Sequence, residues 1–125
     1  MNIRSQAARL ADLLARSIEY NQYLEAKKRL EEDVQNAYAL SELRSRQLQL
    51  RLAEFIGEDV IDASTELDKI FSAYCDEPVI NDFLYAEGRF SRLLAEIQTI
   101  FGEKLDVWTE FEIPEQYEYI NKNLN

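Results

Sequence analysis

Apolar residues recur at gaps of three and four along most of this chain, and the longest unbroken run is Pro78 to Leu105. Its stripe is Val79, Phe83, Ala86, Phe90, Leu93, Ile97 and Ile100, widened on one side by Ile80, Leu84, Leu94, Phe101 and Leu105. That period predicts a helix of about seven turns with one broad face to bury. Pro78 suits a first helical turn, where its missing N–H is no loss, and Asp76 or Glu77 is the expected cap. Gly88 interrupts the run, and it serves either a close helix crossing or slight bend, or an exposed face that tolerates it. A helix of this length needs a matching surface from the rest of the chain.

Upstream, Ile3, Ala7, Leu10 and Leu14 share a helical face that ends near Arg16. Ser17 then marks either a bend, capping a second helix, or a polar notch in a continuous one. Tyr20, Tyr23, Lys27, Leu30 and Val34 continue at spacings of three and four, and Asp33 either caps a third helix or lies within the second. From Val34 to Ile56 the pattern has two sides. One stripe collects Val34, Ala37, Tyr38, Leu48, Leu52, Phe55 and Ile56; the other collects Leu40, Leu43, Gln47, Leu50 and Glu54. A helix apolar on two sides lies between two neighbours, and these are either both in the same bundle or one belongs to another subunit. Gly57 is placed to end this helix, and Val60, Ser64, Leu67, Phe71 and Tyr74 form a shorter one capped by Asp59 or Asp62. Beyond Leu105, Ile113, Tyr117, Ile120 and Leu124, with Pro114 at a first turn, suggest a short amphipathic helix in an acidic, aromatic tail.

Composition agrees with this reading. In 125 residues there are only three Gly and two Pro, with 46% hydrophobic and 30% charged residues, which indicates an all-α fold. No run of about 18 apolar residues and no leader-like start are present, so a cytoplasmic protein without a membrane span is expected. The net charge of −10 is uneven. Residues 1–55 hold nine Lys/Arg against eight Asp/Glu, whereas residues 56–125 hold five against sixteen. Such an acidic half either keeps the surface solvated or steers a basic partner, and it disfavours binding to a phosphate backbone.

Candidate chemistry is sparse. With no histidine, the commonest general base and metal ligand is missing and no Ser–His or Cys–His pair can form. Gly57, Gly88 and Gly102 are isolated, so no glycine-rich phosphate loop exists. The Glu112-x-x-Glu115 pair contains Pro114, and Glu31, Glu32 and Asp33 are adjacent and diverge on a helix, so neither is a good carboxylate–metal site. Cys75 stands alone beside Asp76 and Glu77, which oppose thiolate formation and favour an inert thiol. The basic residues Lys27, Lys28, Arg29, Arg44, Arg46 and Arg51 lie near acidic ones at helical spacing, such as Glu25–Arg29 and Glu42–Arg46. No cofactor is expected, and a carboxylate–metal hydrolase or a direct RNA-binding protein are the alternatives to an interaction protein.

Particular strings resemble a known family. Leu10-Ala11-Asp12-Leu13-Leu14, Ser17-Ile18-Glu19-Tyr20, Tyr23, Ala26 and Asp33 resemble the N-terminal half of the YlbF/YmcA family. Glu77-Pro78-Val79, Phe83-Leu84-Tyr85-Ala86-Glu87 and Phe90-Ser91-Arg92-Leu93-Leu94 resemble its long C-terminal helix. The resemblance covers about residues 3–105. It implies a small, cytoplasmic, all-helical bacterial regulator of competence, sporulation and biofilm development, acting in a complex that influences RNA processing by RNase Y. It carries no catalytic residues. Some members join complexes that bind iron–sulfur clusters through C-terminal cysteines; nothing after Cys75 could do so here.

The expected architecture is an all-α, antiparallel helical bundle of four to five helices over residues 3–105, followed by a tail or short helix at 106–125, and dimeric. The expected function is non-catalytic association, as a homodimer or a hetero-complex with related helical proteins, with an RNase-associated complex as its setting. The expected association surface is Leu40, Leu43, Gln47 and Leu50, where a polar residue within an apolar seam sets register and partner choice.

Overall fold

A computed structural model of the chain describes residues 2–105. Five helices follow one another in it: α1 (Ile3–Ala15), α2 (Ile18–Glu32), α3 (Val34–Phe55), α4 (Ile61–Cys75) and α5 (Pro78–Lys104). No strand occurs among the described residues, and the fold is an all-α bundle with a long last helix. The amphipathic segment expected over Ile113–Leu124 lies outside the described residues.

Short polar side chains set the helix boundaries. Asn2 caps α1 by accepting from the Ser5 N–H at 2.7 Å. Ser17 separates α1 from α2: its hydroxyl donates to the Leu14 carbonyl at 2.7 Å and accepts from the Tyr20 N–H at 3.1 Å. The Leu14 carbonyl also accepts the Ser17 N–H at 3.0 Å, so one residue closes the end of one helix and supplies the acceptor for an orphan N–H of the next, and the chain bends there. Asp33 likewise begins α3. Its carboxylate accepts from the Asn36 N–H at 3.2 Å and from the Asn36 side-chain amide at 2.8 Å.

The end of α3 is a glycine-dependent turn. Gly57 has φ 91°, the only positive φ among the described residues. Its N–H donates to the Glu54 carbonyl and the Glu58 N–H to the Ala53 carbonyl, both at 3.0 Å. This paired arrangement is the Schellman termination, which favours a residue without Cβ at the left-handed position. At the start of α4 the N-cap is Val60, which makes no side-chain cap bond; Asp59 instead accepts from the Ile61 N–H at 3.1 Å. Asp62 lies inside the first turn, where a negative charge complements the helix dipole. Between α4 and α5 only Asp76 and Glu77 intervene, and the Asn81 side chain closes the turn by donating to the Cys75 carbonyl at 2.9 Å.

Among the described residues the chain divides into two compact units, Lys28–Asp82 and a second formed by residues 2–27 with residues 83–105. In the first, α3 packs on α4, and the buried residues are Leu30, Leu40, Leu43, Leu67, Phe71 and Ile80. In the second, an aromatic cluster joins α2 to α5. Phe90 lies 5.1 Å from Tyr20 and 5.8 Å from Tyr23, and Tyr23 lies 5.9 Å from Phe83, centroid to centroid. Offset and tilted rings at these separations add to the burial of their faces. Arg89 donates to the Gln22 side-chain carbonyl at 2.6 Å beside the cluster.

Burial along α5 is not uniform. Ile80, Phe83, Leu84, Ala86 and Gly88 are buried, whereas Leu94, Ile100, Phe101 and Leu105 are exposed. The long apolar stripe is therefore covered over its first turns and open over its last. Burial of Gly88 removes the exposed-face explanation for that glycine. In α1 no residue is buried, and only Leu10 and Leu14 are partly covered.

Candidate interaction surface

The two sides of α3 have opposite fates. At 100° per residue, Leu40, Leu43, Gln47 and Leu50 fall on one face of this helix. Leu40 is 3% exposed and Leu43 2%, while Gln47 and Leu50 are half-buried beside them. This face, expected from the sequence to meet another subunit, turns towards the core of the Lys28–Asp82 unit, where α3 packs on α4. The reason is position: α4 packs against this side of the helix, so Leu40 and Leu43 lose their contact with water. Gln47, on the margin, keeps access to water for its amide.

The opposite face, which the sequence pattern offered as the inward one, is open. Val34 is 74% exposed, Tyr38 71%, Leu48 and Leu52 58% each, Phe55 89% and Ile56 71%. Two serines, Ser41 and Ser45, complete this row. The positions 34, 38, 41, 45, 48, 52 and 55 alternate gaps of four and three, the spacing of a coiled-coil seam over three heptads. Beside it runs the ion pair Glu42–Arg46, one helical turn apart at 3.7 Å. The signal for this seam lay in the sequence: serines at the two central positions suit a solvent-facing row better than a monomer's core. Isolated exposed apolar residues are ordinary, but Val34 and Tyr38 on one side of the two serines and Leu48, Leu52, Phe55 and the C-cap Ile56 on the other are more than a scatter of single exposures, the kind of patch that marks a contact surface.

Chemistry elsewhere is limited to one thiol. Burial pushes the Cys75 thiol above its ordinary range, and the Asp76 carboxylate adds to this. Both effects work against a reactive thiolate. Among the described residues, no three His, Cys, Asp or Glu side chains gather as a metal site would need. Glu112 and Glu115 lie outside the described residues. No helix among those described is long and apolar enough to cross a membrane.

The model of the family described as control of competence regulator ComK, YlbF/YmcA, matches residues 3–106. A UPF0342 protein of Desulfitobacterium hafniense is 26% identical over 106 residues, covering 84% of this chain and 86% of that protein. A UPF0342 protein of Caldicellulosiruptor saccharolyticus is 26% identical over 110 residues, covering 87% and 92% respectively. A UPF0342 protein of Symbiobacterium thermophilum is 26% identical over 99 residues, covering 78% and 88%. No solved structure matches the chain significantly. The strings that carry the resemblance have structural work here: Ser17 and Asp33 are caps, Tyr20, Tyr23, Phe83 and Phe90 form the aromatic cluster, and Ala26 is buried.

Proposed function

We propose that this chain, which belongs to the YlbF/YmcA family, is a non-catalytic regulatory protein that works by associating with other proteins. The observation that carries this reading is the open apolar row on α3, from Val34 to Ile56. Water contact with six large apolar side chains is unfavourable by about 25 cal/mol for each Å² left uncovered, so a partner that covers them gains binding free energy. The absence of histidine and the raised Cys75 thiol favour association over catalysis as the role of the domain. Partners in this reading are a second copy or related helical proteins, in a complex that influences RNase Y-dependent RNA processing, competence and biofilm development. Of the four residues first expected to mediate association, Leu40 and Leu43 are buried and Gln47 and Leu50 retain part of their surface, so this reading moves the contact to the open face.

The test is purification of the tagged chain from its own cell, side by side with a Leu48→Glu/Leu52→Glu variant. The expected result is a defined set of co-purifying proteins, a ribonuclease or a related helical protein among them, lost with the variant. Recovery of the same set with the variant would place the association elsewhere; recovery of none with either chain would refute the reading.

A further inference from the structure

We infer that the open row on the last turns of α5 is covered in cis by the residues that follow it, 106–125. The contact lies on a different helix from the α3 row and is independent of the association reading. Leu94, Gln98, Phe101 and Leu105 recur at gaps of four, three and four, so they share one face of α5. Leu94 is 38% exposed and Leu105 49%. Between them the Gln98 side-chain oxygen is buried and accepts no hydrogen bond from any described residue. A shielded acceptor without a donor is unfavourable. This face therefore calls for a cover that brings both an apolar stripe and a hydrogen-bond donor.

The following segment has both. Ile113, Tyr117, Ile120 and Leu124 repeat the gaps of four, three and four. Trp108, Tyr117, Tyr119, Asn121 and Asn123 carry donors for the Gln98 oxygen. Length matches as well. Ile113 to Leu124 is twelve residues, as is Leu94 to Leu105, and each spans about 17 Å along a helix. The seven residues 106–112 between the two stripes are within the usual range for a helix–helix connection, and Pro114 suits the first turn of a returning helix. Tethering to the end of α5 also raises the local concentration of the segment above that of a free competitor.

Charge selects the same place. Residues 106–125 hold five Asp/Glu and one Lys. In the unit that carries the end of α5, residues 2–27 and 83–105 hold seven Lys/Arg against six Asp/Glu, whereas Lys28–Asp82 holds six against thirteen. An acidic segment is repelled by the strongly acidic unit and not by the nearly neutral one. Within the latter, Tyr20 meets Phe90 and Tyr23 meets Phe83, so α2 and α5 run antiparallel. That direction carries α1 toward the later turns of α5. Helix α1 bears Arg4, Arg9 and Arg16 against Asp12 and has no buried residue, which leaves a basic flank for the acidic segment.

Hydrogen–deuterium exchange of the purified full-length chain, read by peptide mass spectrometry, tests the contact. Amides of residues 113–124 are expected to exchange at least about tenfold more slowly than in an unfolded chain, equally at low and high protein concentration. Leu94→Glu/Leu105→Glu changes two exposed positions and is expected to abolish that protection, with circular dichroism and exchange in α3 and α4 unchanged. Ile120→Glu/Leu124→Glu, made in the segment itself, is expected to abolish it too and to speed exchange over residues 98–105. Should the first variant lose helicity, the second decides, because it leaves the described helices untouched.

Exchange of 113–124 at the unfolded rate in the wild-type chain overturns the contact. Protection that survives either variant overturns it as well. Protection that grows with protein concentration places the segment on a second copy and overturns the assignment in cis.

Discussion

Leu43 and Leu48 stand five residues apart on α3, yet Leu43 is 2% exposed and Leu48 58%. Five residues turn the helix by about 140°, so the two leucines look in different directions from the same two turns. Their substitution separates the core face from the open face. Leu43→Ala is expected to cost about 2–5 kcal/mol of unfolding free energy, because it leaves a cavity in the core. Leu48→Ala is expected to fall within about 0.5 kcal/mol of wild type. Urea denaturation followed by circular dichroism measures both; equal costs would contradict the assignment of faces.

Ser17 and Asp33 act at helix junctions and not through burial. Ser17→Ala removes the acceptor for the Tyr20 N–H, and Asp33→Ala removes the acceptor for the Asn36 N–H. Each is expected to cost about 1 kcal/mol, with Asp33→Asn largely preserving stability. Thermal melts of the three variants check the ranking.

Gly57 is a conformational requirement. At φ 91°, a Cβ meets nothing within 4 Å, so the obstacle to substitution is the backbone itself. Gly57→Ala is expected to destabilise by about 1–2 kcal/mol, and Gly57→Asn by less, because Asn visits the left-handed region more readily. Chemical denaturation of the pair distinguishes backbone strain from steric clash, which would rank Asn as the worse.

Phe90 is the hub of the aromatic cluster, within 6 Å of both Tyr20 and Tyr23 by centroid distance. Phe90→Ala is expected to cost about 3 kcal/mol, the low end for such a truncation because the ring is half-buried. Phe90→Leu keeps most of the apolar volume but loses the ring contacts, and is expected to cost about 1 kcal/mol. Near-ultraviolet circular dichroism should report the altered tyrosine environment in both.

Cys75 provides a pH test. Desolvation, then Asp76, raises its thiol in the folded state, so the native chain holds the proton to higher pH than the unfolded chain. The neutral thiol contributes no pH-dependent change below the unfolded thiol's range. Above it, the unfolded chain releases the proton first, and stability falls as pH rises towards the folded value. Alkylation by iodoacetamide is therefore expected to be slow at neutral pH and to accelerate only above the ordinary thiol range. Asp76→Asn should bring that onset to lower pH; an unchanged onset would remove Asp76 as a cause.

The helices themselves were legible from local pattern. Gaps of three and four marked their apolar faces. Ser17, Asp33, Gly57 and Pro78 marked their ends, because capping and φ preferences act within one turn of the chain. Whether Ser17 bent the chain, and whether Asp33 opened a new helix, needed the structure, since a serine or aspartate can also sit on a continuous helix. Asp59 illustrates the residual one-residue uncertainty: it does bind the start of α4, but from the position before the N-cap.

The direction of α3 was decided by tertiary packing. Its sequence carries two apolar faces, and periodicity measures only that a face exists. Which one is covered depends on where α4 lies, and α4 covers Leu40 and Leu43 while leaving Leu48 and Leu52 open. The same holds for α5, whose single stripe reads alike from Val79 to Leu105 but is buried only over its first turns. The all-α class, the boundaries at Gly57 and Pro78 and the family likeness thus follow from the sequence by itself. The tertiary structure decided which apolar surface this chain keeps for its own core and which it leaves open, because burial is set by the neighbours a helix acquires.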